Sequence, residues 1–383
     1  MVFEDLGSGK RLHTRSSPIF MPWNPRRGEV LTMRGNVGDS PKLKPPYANS
    51  WRRGWFMNLF DTRPKEDRKL LFGRERELDE IERMLDSGFW PVLIGPPRVG
   101  KTSLMKVITK ERKGIYIDAS TCATATDLGF RLVDELQGGR VKAHIQLDFK
   151  MVRIELKTQP VNTLEKIIKS LGDVLIAVDE AQSLNDTRIP ALLSVIYNES
   201  RVKMMFSGSM LRLIKLITKS PQTLGRPIQM IEVKPFSEEV SRAFLEEGLR
   251  RCGVSAEPLE LAEAVRVFGG IPGWLSYYGA KRCARFSHAD ALKEVSATAK
   301  RVVEEEVKRL GPLEEAIVKA LAMLGVGGEW KHIMALVGSF YGKQPDRKSL
   351  SRSLKSLVDM RIVEKTGERY TLIDPMYRII NNF

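Results

Sequence analysis

Cysteine is scarce in this chain: Cys122, Cys252 and Cys283 are the only three among 383 residues. They are odd in number, far apart, and lack both a C-x-x-C pair and a histidine at metal-ligand spacing. This argues against a metal or redox role and leaves three free, mostly buried thiols as the expectation. No 18 apolar residues run together, and the N-terminus lacks the apolar stretch of a signal peptide. A membrane span and a secreted address are therefore not expected, and the cytoplasm is the default. Internal repeats and low-complexity arrays are missing too. Acidic residues are in deficit, 47 against 62 basic, for a net charge of +15. Such a balance favours an acidic partner, most simply nucleic acid. The excess lies largely at the two ends: residues 1–56 hold ten Lys and Arg against four acids, and residues 312–383 hold eleven against eight.

What is present reads as a soluble globular protein of two or three domains. Residues 1–56 carry six prolines and no sustained period, and cannot bury enough apolar surface to offset their ordering entropy. They are expected to be a disordered basic extension, with a DNA-contacting arm or a true start at Met57 as alternatives. Order begins near Leu71, and Leu78, Ile81 and Leu85 mark one face of a helix that stops at Gly88. Apolar runs at 91–94, 115–118, 174–178, 203–207 and 228–232 read as buried strands. Helical patterns between them, including Leu164, Ile167, Ile168 and Leu171, give the alternation of an α/β fold with a parallel sheet covered on both faces. Residues 141–157 alternate weakly and suggest an extra hairpin. After Pro235 the strand signals vanish, so 57–235 reads as the α/β domain and 236–311 as an all-α subdomain. In 312–383, three helical patterns and two short strands around Thr366-Gly367-Glu368 have the layout of a winged helix-turn-helix.

Residues Gly95, Pro96, Pro97, Arg98, Val99, Gly100, Lys101 and Thr102, followed by Ser103, match G-x-x-x-x-G-K-[ST]. In this pattern glycines let backbone N–H groups curl inward around phosphates, the lysine reaches the β- and γ-phosphates, and the Ser/Thr hydroxyl ligates Mg²⁺. The required strand precedes the octet and an apolar-striped helix follows it. Pro96 and Pro97 depart from the ideal, since neither has an N–H to donate. Asp173 to Glu180 is a hydrophobic run ending in two acids, 78 residues after Lys101. Asp179 is suited to hold Mg²⁺ and Glu180 to orient or deprotonate an attacking water.

Other positions have two readings. Ser209, in Ser207-Gly208-Ser209 after the fourth strand, is either turn chemistry or a hydroxyl for the γ-phosphate or catalytic water. Arg226 either solvates the surface or presents a guanidinium to developing phosphate charge. Gly269-Gly270-Ile271-Pro272 ends one helix and restarts another. Trp274, Tyr277 and Tyr278 read as core. Lys348, Arg352 and Lys355 share one face of the last helix and Leu350, Leu354 and Leu357 another, a polarity suited to a DNA groove, with Lys365 and Arg369 near phosphates, or to a protein contact.

The ordered series resembles the archaeal ATPase family, within the AAA+/STAND branch of P-loop NTPases. It runs through Phe60-Asp61-Thr62-Arg63-Pro64, Phe72-Gly73-Arg74-Glu75, Arg98-Val99-Gly100-Lys101-Thr102-Ser103, Asp179-Glu180-Ala181-Gln182, Gly208-Ser209, Gly225-Arg226 and Gly270-Ile271-Pro272. The resemblance covers about 57–383. It implies a sheet ordered 5-1-4-3-2, a helical lid, adenine contacts from Phe72, Arg74 and Pro272, and sensor roles near Ser209 and Arg226. ATP and Mg²⁺ are the implied cofactors, and slow hydrolysis by an ATP-driven switch the implied activity. Guanine is disfavoured only by the lack of an N/T-K-x-D motif. Double-stranded DNA through 312–383, a protein partner and an ATP-dependent homo-oligomer stand as candidate partners. A DNA-binding regulator or replication/transposition accessory factor with a largely structural nucleotide site is the competing reading.

Overall fold

The computed structural model describes residues 59–138, 148–208 and 228–381. The expectations for residues 1–56, Ser209 and Arg226 lie outside them. Within the unit Arg52–Phe383, five strands form a sheet: β1 (Trp90–Ile94), β2 (Ile115–Asp118), β3 (Leu175–Asp179), β4 (Lys203–Ser207) and β5 (Ile228–Glu232). Their order is β2-β3-β4-β1-β5 with every neighbour parallel, the order 5-1-4-3-2 read from the other edge. Central strands buried on both faces explain the unbroken apolar runs. Successive side chains still divide between the faces: Trp90, Val92, Ile94, Ile176, Val178 and Phe206 enter one core, while Leu93, Leu175, Ala177 and Met205 enter the other.

Helices α1 (Glu75–Asp86) and α2 (Lys101–Glu111) cover the second face. On the first lie α3 (Ala125–Gln137), α4 (Phe149–Thr158), α5 (Pro160–Ser170) and α6 (Ile189–Glu199). Helix α4 corrects the hairpin expected over 141–157, insofar as those residues are described. Val152 and Leu156 are four apart and both buried, Leu156 against Gly129 of α3, and Asp148 caps the start by accepting from the N–H groups of Lys150 and Met151. Met151 and Ile154 are exposed, so apolar residues on both sides of the helix imitate alternation.

After Val233 come α7 (Glu238–Arg251), α8 (Pro258–Phe268), α9 (Pro272–Cys283) and α10 (His288–Lys308). The free-thiol expectation fails for two of the three cysteines: Cys252 and Cys283 form a disulfide across the C-terminal ends of α7 and α9, with Cα atoms 5.7 Å apart, while Cys122 is free and buried. Their separation of 31 residues conceals a proximity that only helix packing creates. The same two helices receive Phe60, whose ring lies where glycines leave room. A Cβ on Gly248 would sit 2.1 Å from the ring and one on Gly279 2.4 Å. Gly248→Ala should gain about 1 kcal/mol in helix propensity but lose roughly 1–3 kcal/mol by overpacking. A lower urea-unfolding midpoint is expected, and an unchanged or higher one would show that Phe60 is not held there.

Next follow α11 (Pro312–Leu324), β6 (Gly328–Glu329), α12 (Trp330–Tyr341), α13 (Arg347–Asp359), the antiparallel hairpin β7 (Val363–Thr366) and β8 (Arg369–Leu372), and a 3-10 turn, Pro375–Asn381. Strand β6 pairs with β8 to give a three-stranded sheet. Lys348, Arg352, Lys355, Lys365 and Arg369 are exposed, and Leu350, Leu354 and Leu357 are buried. One continuous apolar cluster runs from Leu59 and Leu93 through Phe244, Trp274 and Val303 to Leu354, Tyr377 and Ile380. No helix among the described residues is long and apolar enough to cross a membrane.

Candidate active site

The loop between β1 and α2 is shaped by three close constraints. Gly95 passes so near β5's exit that a Cβ would lie 2.3 Å from the Val233 carbonyl oxygen. Gly100, at φ +103, turns the chain into α2 and offers no side chain to cap it. Val99 is fully buried beneath. The first-turn N–H groups of α2 therefore have no side-chain cap, the arrangement that suits an anion. Arg74 braces the loop from outside: its guanidinium donates to the carbonyls of Val99 at 2.9 Å and Lys234 at 2.7 Å, pairs with Glu77, and stacks on Phe236.

The Lys101 ammonium donates to the carbonyl oxygens of Gly95 and Pro96, at 2.8 and 2.9 Å. Desolvation pulls its pKa down to about 8, against the opposing pull of Glu180 and Asp179. Ser103 accepts the Lys65 N–H at 3.0 Å, which ties the segment after Phe60 to the first turn of α2.

Across the sheet, β3 delivers Asp179, almost wholly buried, and the chain turns at Glu180 through a left-handed φ of +53. Asp179 accepts from the hydroxyls of Ser207, at the end of β4, and Tyr116, on β2, the latter at 2.8 Å. Burial first, and then Asp179, pushes the Tyr116 phenol above its ordinary range and keeps it a donor. Glu180 accepts from the Gln182 amide and also has its N–H on Asp179 Oδ1. Two of these partners escape a reading of sequence. Ser207 lies two residues before the expected Ser209, and its place at the end of β4 is the signal that points to it. Tyr116 gives no signal until β2 and β3 are known to pair with Tyr116 beside Ala177.

A cavity of about 500 Å³ joins these parts. Pro97 to Ser103 and Glu180 line one part, and Phe72, Arg74, Pro272 and Trp274 contribute elsewhere. Gly95 and Pro96 take part through their carbonyls on Lys101. The lid meets the loop directly. Gly269 and Gly270, both at positive φ, end α8, and α9 begins with Gly273 N–H donating to the Arg98 carbonyl at 3.0 Å. Trp274 and Tyr278 are core as expected, whereas Tyr277 is 40% exposed at the cavity.

Arg98 carries the loop's link to distant chain. Its guanidinium binds Glu306 of α10 through both Nη atoms, at 2.5 and 3.1 Å, and Asp374 beyond β8 at 3.0 Å, while lying 4.5 Å over Trp274. Trp274 Nε1 also donates to Asp374, and the Tyr377 hydroxyl donates to Glu306, both at 2.8 Å. Burial lifts the Asp374 carboxyl above the usual carboxylate range, against the pull of Arg98 and Trp274.

The donors fit Mg²⁺. A hydroxyl at Thr102 and a carboxylate at Asp179 are hard oxygen ligands, and this ion takes one or two protein groups and completes its shell with water and phosphate oxygens. Among the described residues no group of three or more His, Cys, Asp or Glu could hold an ion by itself.

The model of an ATPase domain found predominantly in Archaea matches residues 71–278. The Walker-type ATPase of Pyrococcus abyssi is 28% identical, with a TM-score of 0.72 over 85% of this chain and all of that one. The ORC2 protein of Aeropyrum pernix, solved with ADPNP and ADP, is 15% identical, with a TM-score of 0.58 over 85% of this chain and 96% of its own. At that identity the likeness is one of fold. No curated protein matches the sequence.

Proposed function

The chain belongs to the archaeal ATPase family, whose model spans more than half of it, and we propose that it is a Mg-dependent, slowly hydrolysing ATP switch. One observation carries this reading: Lys101, Thr102 and Glu180 line a single cavity, with Asp179 immediately before Glu180 at the end of β3. Lys101 and the amides from Arg98 to Thr102 bind the phosphates. Thr102 and Asp179 hold Mg²⁺, which when bound would offset phosphate charge and fix the terminal phosphate's orientation. Glu180 orients the attacking water and accepts its proton. Ser207 and Tyr116 fix Asp179, and the aromatic and apolar wall of Phe72 and Pro272 takes the adenine. Arg74 lines the same cavity and holds the phosphate loop through the Val99 carbonyl. Ser209 and Arg226 remain candidates for γ-phosphate contacts.

The nucleotide state acts on residues 236–311 as a lid and on 312–383 as a winged-helix interaction module. The exposed Lys348, Arg352 and Lys355 on α13 favour a second reading, a DNA-binding regulator whose nucleotide is structural. Phosphate release from ATP separates the two. Turnover that requires Mg²⁺ and stops with chelator supports the switch. Tight nucleotide binding without phosphate release, either alone or with duplex DNA, would replace it with the regulator.

A further inference from the structure

Arg98 is a non-glycine residue at φ +64, a conformation costly for any side chain with a Cβ. Such a turn persists where its surroundings over-determine it. Here they do so through a cluster of charge drawn from far along the chain: Glu306, 208 residues on, and Asp374, 276 residues on, both grip the guanidinium. Asp374 and Tyr377 are each only 1% exposed, so the Asp374 end of the grip is dry and its geometry enforced, while Glu306 is half-buried at the cavity. Pro96 and Pro97 have no N–H, which makes the amide of Arg98 the first donor the loop has after Gly95. The residue that is gripped is therefore also one on which phosphate binding depends.

We propose that Arg98 is a positioning residue through which Glu306 and Asp374 set the nucleotide affinity of the phosphate loop. The two carboxylates hold the guanidinium, and the guanidinium holds residue 98 in the left-handed turn that presents its amide. By linkage, nucleotide seated on the loop tightens the grip on the segment around Asp374 to the same degree. This rests on the reading of 95–102 as a nucleotide site, and it assigns the contact by which that site and the C-terminal segment sense one another.

A double-mutant cycle on the full chain tests it, with a fluorescent ATP analogue and Mg²⁺ as the probe. Asp374→Asn keeps an acceptor for Trp274 and removes the charge facing Arg98. It should weaken binding about tenfold in the wild-type background and by less than about twofold when Arg98 is already glycine. The same loss in both backgrounds would overturn the proposal, because Asp374 would then act on the fold without passing through Arg98. Should Asp374→Asn fail to fold, Glu306→Gln, at the more exposed end of the cluster, runs the same cycle with the same criterion. Hydrogen exchange gives the converse readout. Nucleotide should slow exchange in peptides covering residues 369–381 of the wild type and leave them unchanged in Arg98→Gly; equal slowing in both would also overturn it. Wild-type protein that binds no nucleotide removes the functional reading together with this one, whereas binding with additive substitutions removes this one alone.

Discussion

Lys101→Ala should bind ATP on the order of a hundredfold more weakly than the wild type, measured by equilibrium titration. A charge-assisted hydrogen bond contributes about 1.5–3 kcal/mol, and each 1.4 kcal/mol is a factor of ten. The ammonium at position 101 is already poised: it holds two loop carbonyls, and its pKa of about 8 leaves it readily titrated. Phosphate anions favour the charged form, so wild-type affinity should fall as pH rises from 8 towards 10, while Lys101→Ala should lack that slope. The same group shapes stability in the opposite sense. Between about 8 and its ordinary 10.5 the unfolded chain binds a proton that the folded chain does not, so this lysine's contribution to stability grows with pH across that window. Equal affinity in the two proteins at pH 7.5 would count against the whole assignment of the loop.

Glu180→Gln should do the reverse, keeping ATP affinity within a few-fold and reducing phosphate release by about 10²–10⁴. The amide preserves the volume of the carboxylate and an oxygen to accept from Gln182, but it cannot take a proton from water. Its left-handed backbone is held by the N–H contact to Asp179, which the substitution leaves in place. Single-turnover quench measurements isolate the chemical step from product release. Unaltered turnover would remove Glu180 from the mechanism and shift attention to Asp179 and its hydroxyl partners.

Local pattern accounts for what could be read without coordinates. A strand, a glycine loop and a helix are written consecutively from Trp90 to Glu111, and a buried strand must end where Asp179 and Glu180 begin. The sheet order was implied by resemblance to a family, since strand patterns alone do not say which neighbours pair. What stayed hidden depends on approach between separated segments. Tyr116 meets Asp179 across 63 residues, and Trp274 meets Asp374 across 100. The Cys252–Cys283 bridge is hidden for the same reason. Helix α4 is a different case, a local error: Met151 and Ile154 are apolar on its exposed side, and the period of 3.6 is obscured by residues that the helix does not bury.

The apolar cluster that extends from Leu59 to Ile380 bears on how the protein comes to exist. During synthesis α1, α2 and all five strands are complete by Glu232, whereas the part of the cluster built from Phe244, Trp274, Val303, Leu354, Tyr377 and Ile380 draws on residues encoded afterwards. The other face of the sheet closes with helices encoded no later than Glu199, so it can assemble as soon as its strands pair. The chain thus emerges with helices available for both faces of its sheet and with the later part of the cluster still lacking its C-terminal residues, and chaperone dependence or aggregation of truncated products should track that later part.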